Sequence, residues 1–254
     1  MERAIGSKDD AAGPVDRGPP SFRRGRVQDK VFESLRHGLM VGAFVPGQIL
    51  SLRKLAAHLG TSAMPVRDAL AQLIAANALE ALPNRSVRVP RLSQSRLAEL
   101  AEVRIAIEGM AARKACLKAG RELVNRLQSV NHDLLRAIGK RDIVGCLALN
   151  QSFHFDLYRA AESEVLMPLI ESLWVQYGPT MYFSLLAPDM PWDASAHMEI
   201  LEALRIQDAV MAQRAVGRDI RTTTKHLLKG NNFNRFDGPL AAPDGYITFA
   251  DSVS

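Results

Sequence analysis

Apolar residues recur every four positions at Val27, Val31, Leu35 and Leu39, a spacing that lines one face of a helix predicted over 27–40. Gly42 and Pro46-Gly47 interrupt the pattern. A short helix is predicted over 51–59, with Ser51 as its N-cap and Gly60 as its end. Ser62 is placed to cap the next helix, whose stripe of Val66, Leu70, Leu73 and Ile74 reaches Asn77. Two extended pieces over 79–82 and 87–89 follow. Pro83-Asn84-Arg85-Ser86 joins them, a composition that suits the turn of a small hairpin. Beyond Pro90 the pattern is of long helices alone, predicted over 93–119, 121–138, 142–161, 164–186, 193–205 and 208–229. Gly120, Gly139, Pro188 and Pro191 mark the breaks. Residues 1–25 and 230–254 lack periodicity and are expected as a disordered N-terminal tail and a loose C-terminal tail.

The expected fold is therefore mainly α. A winged helix-turn-helix domain with a small β-hairpin wing occupies 26–90, and an all-α antiparallel helical bundle occupies 91–229. The short turn at Gly60-Thr61 forces two helices to cross steeply, so that the second projects its outer face into a DNA major groove. The plainer alternative is a helical cap that binds no nucleic acid. Charge bears on the choice. Residues 22–91 carry eleven Lys/Arg against four Asp/Glu, whereas residues 92–254 carry eighteen against nineteen. A basic module joined to a neutral one is the balance of a phosphate-binding unit with a non-binding partner. Arg23, Arg24 and Arg26 adjoin the first helix, either as further phosphate contacts or as a solubilising arm.

Two cysteines, Cys116 and Cys146, form no CxxC pair and read as small core residues of a reducing compartment. The N-terminal residues hold no apolar core of the signal-peptide kind, and no apolar run reaches the ~18 residues that span a bilayer. The expected location is cytoplasmic, without a membrane partner.

Several polar residues fall on apolar stripes of the bundle. Asn150 and His154 share one with Leu147, Leu157 and Ala161, and His197 shares one with Ile200, Leu201 and Leu204. Asp219 lies with Ala212 and Val216, and Arg104 with Leu97, Ala101, Ile107 and Ala111. His197 and Asp219 each stand eleven residues from Asp208, where the last helical hairpin turns. Both should face one level, ~16 Å from the turn at 1.5 Å per residue. Buried polar groups are costly unless they pair with each other, a metal or a ligand, so their convergence suggests a site. Arg104 suits a ligand carboxylate, or an internal salt bridge with Glu108 or Asp219. Trp174, Tyr177, Met181 and Tyr182 share one helix, as cavity lining or as core.

The segment Leu50, Leu55, Ala56, Leu59, Gly60, Thr61, Ser62, Pro65, Val66, Arg67, Asp68, Ala69, Leu70, Leu73 resembles the N-terminal domain of GntR-family transcription regulators. The stretch Leu82–Val89 resembles that family's wing. The helical half, with Glu102-Val103-Arg104, Glu108, Phe153-His154, His197 and Asp208, resembles the FCD-type sensor of the FadR subfamily. The resemblance implies DNA contacts by Arg53 and Arg67, by the helix start at Ser62 and Met64, and by the wing tip at Asn84 and Arg85. Ala63-Met64 replaces a common Arg-Thr, and Ser86 a common Gly, which alters operator sequence and wing shape. Many such sensors hold a divalent metal with an Asp and three His. The matching positions are Asn150, His154, His197 and Asp219, a set suited to Zn, Ni or Mn, and the same residues with Arg104 would hold the effector. A polar pocket without metal is the alternative.

The function expected is a ligand-responsive DNA-binding transcription regulator, a repressor of a metabolic operon. It would bind a short inverted repeat as a homodimer and answer to a small organic acid. Two alternatives stand beside it: a metal-dependent enzyme using the two His and one carboxylate, and a constitutive DNA-binding protein whose bundle only dimerises.

Overall fold

The computed structural model describes residues 21–83, 86–186 and 194–229. Residues 1–20 of the expected N-terminal tail, the expected C-terminal tail 230–254, the breaks at Pro188 and Pro191, the start of a helix at Asp193, and the wing tip Asn84 and Arg85 lie outside the described residues. Residues 21–25, expected in the disordered tail, are helical.

The chain runs α1 (Ser21–Met40), β1 (Ile49–Leu50), α2 (Leu52–His58), α3 (Ala63–Ala75), β2 (Glu80–Ala81) and β3 (Val87–Arg88). It continues through α4 (Gln94–Lys118), α5 (Arg121–Gly139), α6 (Ile143–Arg159), α7 (Leu166–Ser184), α8 (Ser195–Arg205) and α9 (Ala209–Lys229). α1 begins six residues before the apolar stripe that predicted it, because the stripe marks only the part of a helix that packs. Val31, Leu35 and Leu39 on that stripe are buried, whereas Val27 at its start is exposed.

The wing is a three-stranded antiparallel sheet in the order β1-β3-β2, with Leu50 opposite Val87 and Ala81 opposite Val87 on the other side. The sequence predicts only the hairpin, since a two-residue strand leaves no alternation to read. Arg88 Nε pairs with Glu80 Oε1 at 2.5 Å across the β2–β3 pair.

Local chemistry sets the helix ends. Ser51 Oγ accepts from Lys54 N, Ser93 Oγ from Arg96 N, and Asp142 Oδ1 from Gly145 N. Asp208 Oδ1 takes both Val210 N and Met211 N at the turn into α9. Ser62 departs from expectation. Its backbone occupies the N-cap position of α3, but its hydroxyl makes no cap bond. Pro65 stands at the third helical position and has no N–H, so one of the two amides such a cap would bond is missing.

In the bundle α4 lies along α9, α5 along α6 and α8 along α9, and α4 also meets α6 and α7. α1 packs against both α3 and α7, and one apolar core runs from Val31 and Leu73 to Ile170, Ile200 and Leu227.

Candidate functional site

The winged end presents a second helix held by a turn at Gly60, whose φ of +57° is a left-handed conformation that glycine adopts without cost. Val66, Ala69, Leu70 and Leu73 bury one side of α3, which leaves Met64 and Arg67 exposed on the other. Asp68 belongs to neither role: its carboxylate accepts from Gln28 Nε2 of α1 at 2.9 Å and fixes the helix orientation. Arg53 on α2 is exposed, and among the described residues neither it nor Arg67 joins an ion pair. These guanidiniums are available to an outside anion.

The bundle holds a polar cluster. His154 on α6, His197 on α8 and Asp219 on α9 each offer one ligand atom, and the three atoms lie within 4.8 Å of one another. The hairpin register argument thus meets its outcome, with His197 and Asp219 level across α8 and α9. His154 Nε2 stands 3.1 Å from Asp219 Oδ2 and 3.2 Å from His197 Nε2. Both imidazoles are buried, whereas the Asp219 side chain keeps 26% exposure.

The partners of the other ring nitrogens fix what the cluster can hold. His197 Nδ1 donates to Asn131 Oδ1 at 3.0 Å, and Phe153 stacks flat on the same ring with centroids 4.0 Å apart. Tyr158 donates its hydroxyl to Glu108 Oε2 at 2.7 Å. Its oxygen therefore accepts from His154 Nδ1 at 3.1 Å. Burial and the Glu108 carboxylate push the Tyr158 hydroxyl well above its usual range, so it remains the donor. With both Nδ1 atoms bound to hydrogen, the Nε2 lone pairs face each other and the Asp219 carboxylate. Three such donors converge only around a cation, either one proton on His154 Nε2 or a metal ion.

Charge in the cluster is divided accordingly. Burial pushes His197 down to about 3, aided by the His154 charge, so His197 is the neutral ring. Burial opposes the charge on Asp219, but the hydrogen bond and charge of His154, with His197 and Arg104 behind them, hold its carboxyl below the usual range.

Arg104 adjoins through the same network. Its Nε and Nη2 bond Glu108 at 2.6 and 3.2 Å. Its guanidinium lies over Trp174 at 4.8 Å and Tyr177 at 4.3 Å. Of the two partners weighed for it, the structure gives it Glu108. Trp174 and Tyr177 wall this guanidinium, while Trp174 Nε1 is buried with no hydrogen-bond partner among the described residues. Asn150 is buried one turn before His154, yet among the described residues it forms no hydrogen bond with the three. The sequence reading missed Asn131 and Tyr158. Asn131 sits on the α5 stripe of Val124, Leu127 and Leu134, the same signal that marks His154.

The donor set of two imidazoles and a carboxylate fits a divalent ion of the Zn, Ni or Mn kind. Among the described residues no helix is long and apolar enough to cross a membrane.

Comparison with known proteins accords with this geometry. Residues 27–89 match the gntR family of bacterial regulatory proteins, and residues 99–222 match the FCD domain. The chain is 32% identical over 183 residues to the HTH-type transcriptional regulator McbR of Escherichia coli, covering 70% of this chain and 82% of that protein. It is 24% identical to the HTH-type transcriptional repressor RspR of the same organism, over 79% of this chain and 89% of that one. The solved structure of E. coli McbR/YncC superposes with a TM-score of 0.75 at 28% identity, covering 81% of this chain and 99% of that one. The family and these relatives are transcription regulators and not enzymes, so the enzyme alternative is set aside. A winged helix-turn-helix joined to a helical domain with a buried polar cluster thus carries its own explanation: the chain belongs to the GntR family of DNA-binding transcription regulators, with an FCD sensor as its helical half.

Proposed function

We propose that this regulator is a homodimeric repressor of a metabolic operon. In this reading it binds a short inverted repeat in the cytoplasm and responds to a small organic acid held at the bundle cluster with a divalent ion. The observation that carries the reading is the convergence of His154, His197 and Asp219 within 4.8 Å, tied through Tyr158 and Glu108 to Arg104. His154, His197 and Asp219 would hold the ion, with the Asn150 amide as a fourth donor. The ion would supply a Lewis-acidic anchor for the effector's carboxylate. Arg104 has N–H groups beyond those given to Glu108, and these suit a second anionic oxygen. Selection of genomic fragments by the purified full-length protein tests the central claim. An enriched inverted repeat near a few promoters supports it, and no enrichment by folded protein with and without Zn²⁺ overturns it.

The exposed faces of Arg53 and α3 support the DNA-binding surface, with Ser62 and Met64 at the helix start and Asn84 and Arg85 assigned to the wing. Arg67→Ala should weaken binding to the enriched fragment by about 1–3 kcal/mol, or roughly 5- to 150-fold, the range for an arginine that reads a base edge. Anisotropy at fixed salt measures it, and an unchanged affinity would remove Arg67 from the interface.

One stripe of α4 supports the dimer. Val103, Met110 and Leu117 recur every seven residues and remain 44%, 48% and 68% exposed. Glu99 and Glu102 lie toward one end of this face, Arg113 and Lys114 toward the other. Antiparallel pairing of two copies about Met110 sets Val103 of one copy level with Leu117 of the other and covers the apolar stripe. Met110→Glu places two like charges at the two-fold axis and should weaken the dimer at least about tenfold. Light scattering across a dilution series reads this, and an unshifted dimer would place the interface elsewhere.

A further inference from the structure

We propose that α7 transmits the state of the polar cluster to the DNA-binding end, through a seat for α1 at Gly178. The proposal rests on the reading of the cluster as the sensing site, and goes beyond it in naming the element that carries the response.

Two independent observations meet on α7. The first is steric. A Cβ on Gly178 would fall against the carbonyl oxygens of Leu39 and Met40, the latter at 2.7 Å, and 2.8 Å from Met40 Cα. All of these are backbone atoms of the last turn of α1, so no side chain can swing aside to make room. Gly42, which follows that turn, in turn faces Gly178 O and Tyr182 N. Arg36 of α1, about one turn before Met40, pairs with Glu171 of α7, about two turns before Gly178. Two helices are thus locked backbone to backbone where the winged domain meets the bundle, and α1 is the helix against which α3 packs.

The second observation is a continuous chain of contacts from the cluster to the residue beside Gly178. Asp219 meets His154 at 3.1 Å, His154 meets Tyr158 at 3.1 Å, and Tyr158 meets Glu108 at 2.7 Å. Glu108 holds Arg104 at 2.6 Å, and the Arg104 guanidinium rests on the Tyr177 ring at 4.3 Å. Tyr177 also bonds Thr224 of α9 at 2.8 Å, five residues beyond Asp219. The chain therefore closes on α7 by two routes.

α7 lacks one backbone hydrogen bond immediately after these two contacts. Pro179 has no N–H for the Val175 carbonyl, and the nearby support is a side-chain bond, Thr180 Oγ1 to Tyr177 O at 2.6 Å. A change of donor arrangement around His154 moves Tyr158, Glu108 and Arg104 together. Tyr177 then shifts at the point where α7 can bend, and Gly178 carries the shift to Leu39 and Met40 without slack. Contiguity alone does not establish coupling, so the test measures coupling directly.

The experiment is hydrogen exchange of residues 36–44 in the full-length protein, with and without saturating Zn²⁺. Zn²⁺ stoichiometry is measured on the same samples, and α2 serves as internal reference. Wild-type protection at 36–44 should change by about fivefold or more on Zn²⁺ binding, the low end of ordinary coupling between two sites. Tyr158→Phe at saturating Zn²⁺ should bind the ion and show less than half that change, because the link from His154 to Glu108 is cut. Gly178→Ala should displace protection at 36–44 with or without the ion. If Gly178→Ala does not fold, Tyr158→Phe and Tyr177→Phe decide the matter. Stoichiometric Zn²⁺ with no change at 36–44 overturns the proposal, as does a full-sized change in Tyr158→Phe. Should no Zn²⁺ bind, the metal reading fails by itself. The metal-free comparison of Tyr158→Phe with wild type then decides the coupling: altered protection at 36–44 supports it, and identical protection overturns it.

Discussion

Glu108→Ala should lower the stability of the protein by about 3–5 kcal/mol, the range for removing one partner of a buried ion pair. The Glu108 side chain is fully buried and Arg104 is 6% exposed, so neither has water to fall back on. Both Glu108 oxygens are engaged, one by Arg104 Nε and the other by Arg104 Nη2 and the Tyr158 hydroxyl. Its removal leaves a guanidinium charge between Trp174 and Tyr177 with no anion, and frees the hydroxyl that orients His154. Reversible urea unfolding gives the number, and a loss below about 1 kcal/mol would show that the pair contributes little. A second variant separates charge from packing. Arg104→Met with Glu108→Met removes both charges and should recover most of the stability, since an apolar pair of similar volume is often neutral in such a place. It should not recover a response to an organic acid. The pair then stands as a cost retained for binding.

His154→Ala should weaken divalent-metal binding by more than about 100-fold, beyond the 10- to 100-fold loss usual for residues that only orient a ligand. Tyr158→Phe belongs to that orienting class and should cost about tenfold. His154 is the donor that stands between the other two, at 3.1 Å from Asp219 and 3.2 Å from His197, so its loss leaves only His197 and Asp219 of the three. Equilibrium dialysis against Zn²⁺ measures the effect, and native stoichiometry in His154→Ala would sink the assignment. The sign of the pH dependence follows from the same geometry. The ion takes the place of a proton among the three donors, so binding releases a proton and affinity falls as the solution is made more acid. With both proteins metal-free, DNA affinity of the variant should stay within about threefold of wild type, because Arg53 and Arg67 lie on the winged end.

The family's two-part architecture was legible because each half has a periodicity that burial imposes. Helices that pack on one side carry stripes at three and four residues, and the same stripes mark His154, His197 and Asp219. Their mutual approach was legible for a further reason: residues equidistant from Asp208 on a helical hairpin must come level. What escaped has equally physical causes. The strand at Ile49 and Leu50 is too short to alternate. The absent cap bond of Ser62 depends on Pro65, which a pattern of capping residues does not weigh. Asn131 reaches His197 from a helix 66 residues away in sequence, and no local spacing announces that contact. For Arg104 the sequence offered a ligand, Glu108 or Asp219. Only the fold shows the bidentate pair with Glu108, since either carboxylate satisfies the stripe. Asn150 illustrates the limit of stripes from the other side, being buried on the expected face but, among the described residues, not hydrogen-bonded to its expected companions.

DNA-binding modules of this kind invite exchange between sensors, as if they were cassettes joined by a linker. The contact between α1 and Gly178 argues against that use here. A cut near residue 90 divides the covalent chain but leaves half of a backbone-tight joint on each side. Leu39 and Met40 would meet whatever side chain another sensor carries in place of Gly178, and Arg36 would lose Glu171. A chimera built on this wing needs a host helix with glycine at that crossing, so the unit of transplantation is the wing together with the surface of α7.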